Sequence, residues 1–80
     1  MQMVKEKIRV GAIFGAGGNL RPVWFDWCNR KYTVKEITYA WLERRPTLTL
    51  CFAVSDGATL FQLAYDTFNQ VWTLTAVEPD

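Results

Sequence analysis

Cys28 stands two residues before Arg30 and three before Lys31, and neighbouring cations are what lower a thiol's pKa toward a reactive thiolate. A nucleophile of that kind also needs a group to carry protons. The chain contains no His, the commonest general base and metal ligand near neutral pH. Ser55 is the sole serine, and it adjoins a turn sequence. Asp26 and Glu36 could face each other across a hairpin as an acid–base pair, but cations nearby make solvated ion contacts the simpler reading. The "GAGG" run at residues 15–18 has phosphate-loop glycines, yet it follows a strand pattern without opening a helix, and no Lys-Ser/Thr comes after it. Cys28 and Cys51 fit no metal-ligand spacing and are too few for a secreted disulfide framework, so a reducing, cytoplasmic setting is the expectation. This inventory argues against an enzyme and implies no metal or cofactor.

The elements that must position these residues read as antiparallel β. Apolar and polar residues alternate with period two, punctuated by turn residues, along most of the 80-residue chain. The first strand runs from about Lys7 to Phe14, with Ile8, Val10, Ala12 and Phe14 on one face. The second runs from Leu20 to Cys28, with Pro22 near its start, where a missing backbone donor is tolerated. Val23, Phe25 and Trp27 then share a face while Trp24 takes the other, since successive side chains on a strand point oppositely. A turn centred on Asn29 and Arg30 pairs Trp27 with Tyr32 and Phe25 with Val34. Downstream, Asp56-Gly57 is a strong hairpin signal that sets Phe52 opposite Phe61, Leu50 opposite Leu63 and Leu48 opposite Tyr65. Trp72, Leu74 and Ala76 form the apolar face of a last strand.

Residues 31–45 carry two patterns. Thr33 to Glu36 matches a helix capping box, and Val34, Ile37 and Trp41 are spaced as a helix face, which would give an α+β fold with a short helix around 34–44 on a sheet. The strand-favouring types and the alternation of Ile37, Tyr39 and Trp41 instead favour one long bent strand, with a change of parity near Lys35. With that strand serving both sides, the expected fold is a single all-β domain spanning residues 1–80, a small six-stranded antiparallel barrel or roll of SH3-like architecture. A chain of this size buries roughly 60% of its unfolded surface, and five Phe, four Trp and three Tyr can fill one core. No stretch is long and apolar enough to span a bilayer as a helix.

Pro22, Phe25, Trp27, Arg30, Tyr32 and Val34 follow the pattern P-x-x-F-x-W-x-x-R-x-Y-x-V. The pattern resembles a family of small bacterial all-β proteins classed as a domain of unknown function, in which Gly usually stands where this chain has Asn29. The similarity extends toward Trp72-x-Leu74. Some similar domains accompany error-prone DNA polymerases, so the resemblance implies a link to DNA repair, and it transfers no catalytic residue. The apolar members of the pattern other than Pro22 fall on the inferred core face, so the motif also encodes the fold.

All nine Lys and Arg lie in residues 1–45; against Glu6, Asp26, Glu36 and Glu43 they leave that part at +5, while Asp56, Asp66, Glu78 and Asp80 leave the rest at −4. Opposite charges can join strands across a fold, or can mark a basic face for an acidic partner. The candidate interaction surface is Trp24 with Arg9, Arg21, Lys35, Arg44, Arg45 and the surplus apolar Leu60, accompanied on the non-core face by Ile13, Leu42 and Phe68. Its expected use is as a non-catalytic protein-interaction module, self-association included. The alternative is a nucleic-acid accessory that stacks bases on Trp24 and holds phosphates with Arg and Lys.

Overall fold

The computed structural model describes residues 1–44 and 46–79. The described residues form seven antiparallel strands: β1 (Gln2–Phe14), β2 (Leu20–Trp27), β3 (Arg30–Thr33), β4 (Glu36–Arg44), β5 (Leu48–Ser55), β6 (Thr59–Asp66) and β7 (Val71–Pro79). Their spatial order is β3-β2-β1-β7-β6-β5-β4, a single sheet curled into a half-barrel. The all-β roll expected from the alternation is therefore present, and no helix occurs among the described residues, so the capping box at Thr33–Glu36 starts none.

Two chain segments make the curl. β1 pairs with β7 along Gln2–Ile8 and then with β2 along Arg9–Phe14, passing from one half of the sheet to the other. At the opposite side the anticipated bent strand breaks in two, which raises the count from six to seven. Val34 N donates to Val23 O at 3.0 Å and Lys35 N to Ser55 O at 2.8 Å, so consecutive amides bond strands in opposite halves of the sheet order. A backbone turning that sharply cannot keep one ladder, and β3 stays with β2 while β4 goes to β5.

The core lies inside the curl: Phe25, Phe52, Val54, Phe61, Leu63 and Leu74, with Val10, Trp27, Tyr32 and Trp72 packed against it. Phe25 stacks on Tyr32 with centroids 5.2 Å apart and meets Phe61 edge-on at 4.9 Å. Offset and edge-on contacts of this kind add to the area that such rings bury.

Both anticipated hairpin registers are displaced by two residues. The first turn is centred on Cys28 and Asn29, with φ of 53° and 61°, and pairs Phe25 with Tyr32 in place of Val34. Two central residues with positive φ match the right-handed twist of the strands. In the second hairpin Phe52 faces Leu63, Val54 faces Phe61 and Leu50 faces Tyr65, because Asp56 Oδ1 accepts from Ala58 N and Thr59 N and widens the loop. Other corrections come from irregularities in pairing. A register shift between Gly11 and Ala12 opposes Pro22 to Ala12, and the end of β1 projects so that Phe14 is exposed, not in the core. A shift between Ile37 and Tyr39 leaves Ile37 against the core but turns Tyr39 and Trp41 to the other face. A third, between Gln62 and Leu63, puts Ala76 beside Gln62, where it is buried but outside the main cluster, and brings Val77 against that cluster.

Candidate functional site

The two indoles of β2 look in opposite directions. Trp27 packs inward against Tyr32 and Phe61, and its Nε1 donates to Glu6 Oε2 at 2.8 Å. Trp24 lies outward across Gly11, which pairs with it on β1 and leaves the ring a floor because it has no side chain. Arg9 Cζ stands 5.4 Å and Lys31 Nζ 4.5 Å from the Trp24 ring centroid. Cations held this close to an indole are attracted by its ring quadrupole. Arg9 is also fixed by Asp26, its Nη2 lying 2.7 Å from Oδ2. Asp26 thus serves Arg9 and forms no carboxylate pair with Glu36.

The expected surface is divided by the fold. Arg9 and Trp24 come together on the outer side of β1–β3, and Arg21 follows on β2 opposite the exposed Ile13. Lys31 belongs to this group and was missed, because its place beside Trp24 depends on the true hairpin register, in which it faces Asp26. Lys35 lies at the β3–β4 corner, where its side chain leans over Gly57 and its charge helps lower the Asp56 pKa, after the larger effect of the backbone hydrogen bond from Ala58. Arg44 is exposed at the end of β4, remote in the sheet order from Trp24. Leu60 lines a separate apolar cleft of about 310 Å³ with Met1, Tyr39, Ala53 and Ala76. Arg45 falls outside the described residues.

A further surface, unsuspected from the sequence, is a seam between β2 and β4. Past the Val34–Lys35 corner the two strands part, and Arg21, Pro22 and Val23 face Glu36 and Ile37 across a cleft of about 250 Å³. Farther along the same two strands lies a larger opening of about 410 Å³, with Gly18, Asn19 and Leu20 on one side and Ala40, Leu42, Leu50 and Phe52 on the other. Leu42 pairs with Leu50, and residues directly opposed on a ladder project to the same face. That face is the core face, as Leu50 packs on the core cluster, yet Leu42 is 65% exposed. The curled sheet stops short of covering it.

Among the described residues no three His, Cys, Asp or Glu side chains are grouped to hold a metal ion. Cys28 is exposed at the hairpin turn and Cys51 is buried, and neither is joined in a disulfide. No protein-family model, curated protein or solved structure matches the chain.

Proposed function

We propose that the domain is a non-catalytic protein-interaction module. One observation carries this reading: Leu42 has the orientation of a core residue and the exposure of a surface residue. An uncovered apolar strip continuous with a packed core is the type of surface that a partner completes. Ala40, also exposed, extends the strip toward the corner. The test is selection of binders from a displayed peptide library, followed by Leu42→Lys. Binders whose affinity falls at least tenfold with that substitution support the module; a library from which nothing is enriched removes it.

The nucleic-acid reading draws on a different observation, the placing of Arg9 and Lys31 against Trp24, with Arg21 farther along the same strand. It is the weaker of the two, because a base stacks on a free ring face and this indole has Gly11 beneath it and two cations against it. Salt-sensitive quenching of Trp fluorescence by single-stranded DNA would favour it, and an unchanged signal at low salt would exclude it.

A further inference from the structure

Resting on the interaction-module reading, we infer that the seam between β2 and β4 receives an extended, acidic segment of another protein, which adds as a strand to the free edge of β4. Three observations converge on that occupant. First, β4 is an edge strand of nine residues, hydrogen-bonded to β5 on one side and, among the described residues, to no strand on the other. Its length of roughly 30 Å, at about 3.3 Å per residue, accommodates a partner strand several residues long. An exposed edge of this length offers unpaired N–H and C=O groups in a row, the feature that strand addition uses.

Second, the seam is narrow at Val23 and Val34 and open at Leu20 and Leu42, and its lining is apolar on the core side. An added strand would present alternate side chains to Leu42, Ala40 and Phe52, and the intervening ones to solvent. A helix would need a wide groove along its whole length, and the seam closes at the corner.

Third, the charges flanking it are mostly positive. Arg21 stands at the corner and Arg44 at the far end of β4, while Lys35, also at the corner, leans toward Gly57 and Asp56. Arg21 and Arg44 make no ion pair among the described residues, and Glu36 is the acidic residue in the lining of the corner cleft. Asp or Glu at the ends of an extended segment would meet these guanidinium groups, and arginine is the cation best suited to hold a carboxylate with two parallel hydrogen bonds.

The experiment is a display library of random ten-residue peptides panned on the intact chain, with enriched peptides then synthesised and titrated by isothermal calorimetry. Enriched sequences are expected to alternate apolar and polar residues and to carry Asp or Glu. N-methylation of the alternate amides that face β4 is expected to weaken binding at least tenfold, while methylation of the intervening amides leaves it unchanged. The paired substitution R21E and R44E, at exposed positions that leave the core untouched, is expected to reverse the preference to basic peptides. Peptides indifferent to backbone methylation, or without acidic enrichment, overturn the inference. Peptides that depend on Tyr39 and Leu60 overturn this binding mode and leave the interaction module standing. Failure to enrich any peptide overturns both.

Discussion

The indole of Trp24 occupies the space that a side chain at Gly11 would need: a Cβ built on Gly11 collides with the pyrrole edge of that ring. The contact couples an absence on β1 to the largest side chain on the outer side of β2. Gly11→Ala is expected to cost about 1–3 kcal/mol, the range for forcing extra atoms into a packed site. In a Trp24→Ala background the same change should be near neutral. Chemical denaturation of the four proteins measures this, and an equal penalty in both backgrounds would show that the glycine serves its own backbone and not the ring.

Cys28 holds φ of 53° as the first central residue of the β2–β3 turn. A residue with a side chain is disfavoured there by roughly 1 kcal/mol, and glycine is not. Cys28→Gly is therefore expected to raise stability by about 0.5–1 kcal/mol, with the higher Tm seen under reducing conditions so that thiol oxidation plays no part.

Acid should reveal the turn after β6. Asp66 Oδ1 accepts from Thr47 Oγ1, Phe68 N and Asn69 N, and Oδ2 accepts from Asn69 Nδ2 at 2.8 Å. These donors, the Asn69 side chain foremost, favour the charged carboxylate and lower its pKa to about 2 from 3.8. A depressed pKa means that the unfolded chain takes up the proton first, so this stabilisation is full above about pH 4 and is lost as pH falls toward 2. Tm measured between pH 6 and 2 should fall less steeply for Asp66→Ala than for the wild type, from a lower starting value. Parallel curves would assign the acid loss to other carboxylates.

Leu42 and Phe25 should separate surface from core. Leu42→Ser is expected to change stability by less than about 0.5 kcal/mol, as for exposed positions in general. Phe25→Ala, at a fully buried residue that touches Tyr32 and Phe61, should cost about 3–5 kcal/mol, a large part of the stability of so small a domain. A similar loss from Leu42→Ser would mean that the seam closes over it in solution.

The alternation of apolar residues was sufficient to recognise an all-β roll, the opposition of Trp24 and Trp27 and the bend near Lys35. It was insufficient for register. A hairpin displaced by two residues keeps every side chain on its own face, so Phe25 satisfies the pattern opposite Val34 or opposite Tyr32. The choice was made by turn geometry, which required Cys28 to enter a conformation that its residue type does not advertise. The candidate surface was legible where strand position defined it, as for Arg9 and Trp24. It was illegible where only composition spoke, as for Arg44 and Leu60. The seam escaped notice for another reason: the alternation of Ile37, Tyr39 and Trp41 points Leu42 outward, the shift between Ile37 and Tyr39 turns it to the core face, and its exposure there depends on where a strand distant in the chain ends.

The pairing of β1 with β7 sets a condition on how the chain acquires its shape. Gln2 lies opposite Val77, and Met3 opposite Ala76. Strand partners so distant in sequence close only after a long loop has been ordered, which places all-β domains among the slower two-state folders, in the millisecond to second range. During synthesis on the ribosome the β4–β6 meander can form as soon as it emerges, but the Gln2–Ile8 part of β1 must wait for β7. Until then, the aromatic interior stays open along the line where the two halves of the sheet will join.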